Sequence, residues 1–170
     1  MGWRYISVLL GSTLACNAVA YDLLLNVNGT IAANGCMVSA QSQNMLVDFH
    51  NVAIKQFYTN GTPFGKKKFV ISLENCGADA KTVKVKFEGA PDLHNQELLA
   101  LTGGDGVASG LAIEIMDKDS TTLTVNSFST PFIIAKSPKI DFEFYAQYRS
   151  TGPVTVGMAN AVVKFVMEYQ

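Results

Sequence analysis

Three cysteines, two histidines and fourteen Asp or Glu side chains are the groups in this 170-residue chain that could ligate a metal, move a proton or attack a carbonyl. Their spacing suits none of these tasks. His50 and His94 are isolated in sequence from each other and from the cysteines, and no Cys-x-x-Cys pair is present, so neither a metal set nor a redox dithiol is written here. Gly-x-Ser-x-Gly, a phosphate loop and His-Glu-x-x-His are likewise missing from the sequence, and the carboxylates fall on faces that alternation marks as exposed. The expectation is a protein that is not an enzyme and needs no cofactor or metal. Lys66-Lys67-Lys68 is the one basic run, in a chain of net charge −1; it reads as a solvated turn or strand edge that discourages edge-to-edge pairing, and no nucleic-acid partner is implied.

The cysteines do carry structural information once the front of the chain is read. Arg4 precedes the apolar stretch Ile6 to Ala15, and Ala18-Val19-Ala20 supplies the small-x-small pattern of a signal-peptidase site. Residues 1–20 are therefore expected to be a secretory leader, too short in its apolar core to serve as a membrane anchor. Cys16 leaves with that leader. Cys36 and Cys76 remain, an even pair in a chain sent to an oxidising compartment, and are expected to form a disulfide. Closing a loop of that length restricts the unfolded chain by roughly 4 kcal/mol in the chain-entropy account. The mature part is the size of one domain, and with 48% hydrophobic and 16% charged residues overall it has ample apolar surface to fold.

Period-2 alternation supplies the elements. Val83, Val85 and Phe87 alternate with Lys84, Lys86 and Glu88, and Leu111, Ile113 and Ile115 alternate with Ala112, Glu114 and Met116, the pattern of half-buried strands. Ile140, Phe142, Phe144, Ala146 and Tyr148 share one face, as do Ala161, Val163, Phe165, Met167 and Tyr169. Further strands are expected at Ile31 to Val38, Met45 to Phe49 and Phe69 to Leu73. Asn60-Gly61, Gly103 to Gly106, Asp117 to Ser120 and Thr151-Gly152-Pro153 punctuate them as turns or loops, and Leu98 to Leu101 reads as a short apolar flap or turn. Short strands, frequent turns and one disulfide predict an all-β, antiparallel sandwich of immunoglobulin-like type. The sole tryptophan, Trp3, lies in the leader, so the buried tryptophan that usually accompanies such a disulfide is absent.

Between leader and Cys36, the residues Leu23, Leu25, Val27, Gly29 and Ile31 fall on one face of an extended segment. A glycine in such a stripe marks either a turn at Asn28-Gly29 or a close approach by some other group. Periodicity leaves both open.

The order of these pieces resembles the chaperone-usher fimbrial subunits, and within them the FimF-like minor tip adaptors of type 1 fimbriae. The matching stretches are the alternating extension with Gly29, Asn34-Gly35-Cys36, Cys76, Asp92-Leu93-His94-Asn95, Leu98-Leu99-Ala100-Leu101, Ala108-Ser109-Gly110-Leu111, Phe144-Tyr145-Ala146 and the ending Phe165 to Gln170. Leu24 departs from strict alternation. The resemblance implies an incomplete immunoglobulin-like sandwich, a pilin domain over 34–170, preceded by a donor-strand extension over 21–33. Leu23, Leu25, Val27, Gly29 and Ile31 would enter the groove of the preceding subunit, burying four aliphatic side chains for on the order of 6 to 12 kcal/mol before ordering costs. A periplasmic chaperone would pair beforehand with the strand of Val163, Phe165, Met167 and Tyr169 and hold the carboxylate of Gln170. An outer-membrane usher and neighbouring subunits complete the implied partners. The chain would pass through the periplasm to an extracellular fibre, with no membrane anchor of its own. A major shaft subunit and a secreted, self-complemented binding module are the alternatives; an adhesin would carry a further lectin domain.

Overall fold

The computed structural model describes residues 23–27, 35–134 and 139–170. The leader, Gly29 and Ile31 lie outside the described residues. Among the described residues the chain forms strands β1 (Leu23–Val27), β2 (Met37–Val38), β3 (Asn44–Leu46), β4 (Pro63–Glu74), β5 (Thr82–Glu88), β6 (Leu99–Ala100), β7 (Leu111–Asp117), β8 (Phe132–Ile133), β9 (Lys139–Ser150) and β10 (Ala161–Tyr169). A one-turn helix (Ala40–Gln43) and a single 3₁₀ turn (Ile54–Gln56) are the helical pieces described. The strands build two five-stranded sheets, β3-β1-β10-β5-β8 and β2-β4-β9-β7-β6. All pairings between named strands are antiparallel save one: β1 runs parallel to β10.

The all-β sandwich and its disulfide are as the sequence implies. The inward rows anticipated from alternation meet in one apolar core, with Val83, Val85, Phe87, Val163 and Phe165 from the first sheet facing Ile71, Leu73, Ile113, Ile115 and Phe144 from the second. With no tryptophan to fill its centre, the core uses phenylalanine. Phe87 meets Phe144 edge-on with ring centres 5.4 Å apart, Phe69 stacks on Phe144 at 5.6 Å, and Phe132 and Phe165 extend the cluster. Such tilted and offset contacts suit the ring quadrupole and add to the area buried.

Several sequence expectations are corrected by what covers each face. β4 is longer than Phe69 to Leu73 because it pairs along β9 from Pro63 to Glu74, with a bulge between Phe64 and Lys67 where Gly65 takes a φ of +78°. The lysine run sits on this strand, beyond the two residues that β2 covers, so it guards an edge as expected. Met45 to Phe49 is a strand only to Leu46, although Val47 and Phe49 continue into the core. Of the expected strand Ile31 to Val38, residues 35–38 are described, and only Met37–Val38 are strand. Leu98 to Leu101 is not a flap: Leu99–Ala100 form β6 against β7, and Leu98 and Leu99 are both buried.

The strand β7 departs most from a half-exposed pattern. Its second face is buried too, placing Glu114 at 3% exposure beside Ala112 and Met116. A carboxylate there requires partners. Thr122 donates to Glu114 Oε1 at 2.7 Å, and Gln147, Arg149 Nε and Arg149 Nη2 all reach Oε2 within 2.6–2.8 Å. Burial alone would raise the Glu114 pKa; the hydrogen bonds from Thr122, Gln147 and Arg149 and the Arg149 charge outweigh it, leaving the group below the usual carboxylate range. Period 2 reports which face a side chain takes, not whether that face stays wet.

A folded-state pKa held below the unfolded value contributes stability that is present above the unfolded pKa, about 4.3, and is lost as pH falls through the folded one. Glu114→Gln is expected to destabilise the domain by about 1–3 kcal/mol at pH 7. In urea unfolding the gap from the parent protein should narrow steadily below about pH 4; a gap independent of pH would contradict the charged pairing.

Candidate functional site

The groups that set this protein apart lie along one sheet edge rather than in a catalytic cluster. Among the described residues, no three His, Cys, Asp or Glu side chains are placed to hold a metal ion. No helix among them is long and apolar enough to cross a membrane.

β10 is bonded on one edge to β5 from Lys164 to Tyr169. Its other edge takes β1, with Leu23 opposite Ala161, Leu25 opposite Val163 and Val27 opposite Phe165. The far edge of β1 meets β3, placing Leu24 opposite Leu46 and Leu25 opposite Met45. β3 and β10 are thus bridged by a strand that belongs to no hairpin with either. Leu25 is fully buried in the common core, so without β1 an apolar slot and two unpaired strand edges would face solvent.

The slot has a fastened end and an open end. At the fastened end Cys36 and Cys76 are joined with their Cα atoms 3.9 Å apart, and the Gly77 amide donates to Gly35 O at 3.0 Å. The Tyr169 hydroxyl donates to Cys36 O at 3.2 Å, tying the far end of β10 to the disulfide. Burial pushes the Tyr169 phenol up in pKa, against the smaller opposing effect of that hydrogen bond, so it remains a neutral donor at physiological pH. Gln170 continues the ladder: its amide donates to Thr82 O at 2.9 Å, and its main-chain oxygen accepts from the Lys81 and Thr82 amides at 3.0 Å each.

At the other end, next to Ala161, lies a cavity of about 350 Å³ with His50, Val52, Phe57, Leu111 and Tyr148 among its lining residues and Gly157 to Asn160 along one side. A second, mostly apolar cleft of about 450 Å³ adjoins it, with Leu46, Val107, Met158 and Val162 around it. Two loops wall this end. Ala108 donates to Met158 O at 2.9 Å, Met158 to Gly106 O at 2.8 Å and Thr151 to Gly110 O at 2.8 Å. The loops touch through glycines: a Cβ on Gly110, which has φ +70°, would strike the Pro153 carbonyl, and one on Gly157 would strike the Ala108 amide.

The expected site residues distribute as follows. Leu23, Leu25 and Val27 lie on β1, and Gly29 and Ile31 fall outside the described residues. Val163 and Phe165 face the core, Met167 and Tyr169 are half-buried, and Gln170 is exposed. The role of β3 as a wall of the slot and the cavity were missed, because the cavity is assembled from loops and strand ends between His50 and Asn160, more than a hundred residues apart, which share no period. The signal within reach was glycine: Gly110 and Gly157 mark the loops that press together.

Comparison with known proteins settles the class. The chain matches the family described as Fimbrial protein over residues 25–170. It belongs to that family. It is 35% identical over 166 residues to the uncharacterized fimbrial-like protein YcbV of Escherichia coli (strain K12), covering 97% of this chain and 96% of that one. It is 32% identical to the S-fimbrial protein subunit SfaG of Escherichia coli O6:K15:H31 (strain 536 / UPEC), covering 96% and 93%. Its fold is shared with a subunit of a chaperone-usher pilus structure concerned with rod uncoiling, at a TM-score of 0.68 and 22% identity, over 94% of this chain and all of that one.

Gly110→Ala is expected to cost about 1–3 kcal/mol, since the residue must leave the left-handed region or push the 152–158 loop away. Denaturant unfolding of the purified subunit checks it, and an unchanged midpoint would show that the loop contact is not needed.

Proposed function

We propose that this fimbrial protein is a minor tip-adaptor subunit of a chaperone-usher fimbrium, joined to its neighbours by exchange of the N-terminal strand. One observation carries the strand exchange. The strand that completes the core precedes every other described strand, is bonded to β3 and β10 but in no hairpin with them, and buries Leu25 completely. An element of that kind can complete another copy at little cost in contacts. In this reading residues 1–20 are the removed leader, 21–33 the donor extension and 34–170 the pilin domain.

The stripe Leu23, Leu25, Val27, Gly29, Ile31 then has a role residue by residue, using this chain's groove as the template for a neighbour's. A donor running opposite to β10 with Leu25 beside Val163 would set Val27 beside Ala161, Gly29 beside Ala159 and Ile31 beside Gly157. The last position adjoins the 350 Å³ cavity, which offers room for an isoleucine. Ala159 O accepts a 2.7 Å hydrogen bond from the Tyr148 hydroxyl at that position. Before assembly a periplasmic chaperone would lend a strand along Val163, Phe165, Met167 and Tyr169 and grip Gln170, and an outer-membrane usher would release the subunit to the extracellular fibre. The tip-adaptor role rests on the local sequence likeness at Asp92 to Asn95, Leu98 to Leu101 and Ala108 to Leu111.

Val27→Asp in the donor stripe is expected to leave chaperone binding intact and abolish attachment to the preceding subunit, measured as subunit–subunit complexes recovered from the periplasm; unchanged assembly would sink the donor assignment. Deleting the gene should leave shafts of normal length lacking this component at the tip. Loss of all shafts would assign it the major-subunit role instead.

A further inference from the structure

We propose that the polar pocket formed by the turn at Asn60-Gly61, the loop carrying His94 and Asn95, and the end of β9 binds a neutral sugar residue. None of its lining residues lies on β1, β3 or β10, so the site is separate from the strand slot. The pocket holds about 270 Å³. That is the lower end of the range for small-molecule sites, which starts at about 300 Å³, and it suits one ring rather than a chain of them.

The walls are held in place before any ligand arrives. Ser150, buried at the end of β9, donates through Oγ to Thr59 O at 2.8 Å and accepts there from the Thr62 amide at 2.9 Å, while the Gly61 amide donates to Ser150 O at 2.8 Å. The turn is thus pinned to the strand. On the opposite loop, Asp92 Oδ1 accepts from the His94 and Asn95 amides at 3.0 Å each, and Asn95 Oδ1 accepts from the Glu97 amide at 3.1 Å. A pocket fixed in this way loses little freedom on binding.

The groups left over are hydrogen-bonding ones with little net charge. The Asn60 side chain makes no hydrogen bond among the described residues, and Asn95 keeps its Nδ2 donors. Thr151 is 8% exposed, and its hydroxyl is the one buried side-chain nitrogen or oxygen among the described residues with no hydrogen-bond partner. Buried polar groups are nearly always paired, so an unspent hydroxyl in a pocket wall marks a place for a partner from outside the chain. Arg149 brings donors whose charge is already answered. Its Nε and Nη2 lie on Glu114 Oε2 at 2.8 and 2.6 Å and its Nη1 donates to Gly61 O at 3.2 Å, which leaves the second hydrogens of Nη1 and Nη2. With the Glu114 and Asp92 carboxylates set against this one guanidinium, an anion is disfavoured. Adjacent hydroxyls that each donate and accept match amides, a hydroxyl and spare N–H groups. The same two loops carry Tyr58 and Leu93, 82% and 92% exposed, apolar surface of the kind that the C–H face of a sugar ring covers.

The full mature subunit, purified as exported, is titrated with the methyl glycosides of glucose, galactose and mannose and with sialic acid, and contact is read by saturation-transfer NMR. At least one neutral glycoside is expected to bind with a Kd of about 1–10 mM, more tightly than sialic acid. Asn60→Ala and Thr151→Val should each weaken that binding about tenfold. Neither change removes a hydrogen bond within the fold, so the urea midpoint should hold for the first and hold or rise for the second. No saturation transfer from any neutral glycoside at about 20 mM would overturn the site. Binding undiminished in both variants would place the sugar elsewhere and overturn it as well. A preference for sialic acid would overturn the neutral assignment, and a lowered midpoint for Thr151→Val would show that its hydroxyl serves the fold instead. Strand exchange stands or falls separately, since no residue of the slot is changed.

Discussion

The edge of β10 that faces β3 is the constraint on which the rest of this architecture depends. A buried strand must have both of its hydrogen-bonding edges satisfied and the apolar face beneath it covered. β5 satisfies one edge of β10, and among the described residues β1 is what satisfies the other. The last part of the core on that side is filled by β1, which forms no hairpin with either of the strands it bridges.

The slot is polar in the sense of having two unlike ends. One is fastened by the Cys36–Cys76 bond, the Tyr169 hydroxyl and the Gln170 ladder onto Lys81 and Thr82. The other is bounded by two loops pressed together at Gly110 and Gly157 and keeps an open cavity beside Ala161. A groove with one closed and one open end can distinguish the direction of the strand it receives, which a symmetric slot could not.

The second sheet supplies the rigid counterpart. β4 and β9 pair over twelve-residue strands, the phenylalanine cluster locks them to β5, and the buried Glu114 is held by Thr122, Gln147 and Arg149 on the outer side of β7. None of these contacts involves β1. The body of the sandwich is therefore held by contacts independent of β1.

Much of this was legible in the residues themselves. Alternation located the inward rows of β5, β7, β9 and β10, because side chains on a strand must point to opposite faces whatever lies around them. The even pair Cys36 and Cys76 was legible as a disulfide, and the two are joined. Tertiary structure alone decided three other things. Glu114 is buried because strand period carries no information about what packs on a second face. Leu99 and Ala100 became a strand because β7 offered a free edge to pair with. The parallel pairing of β1 with β10, with Leu25 opposite Val163, joins residues far apart in the chain that no local pattern brings together.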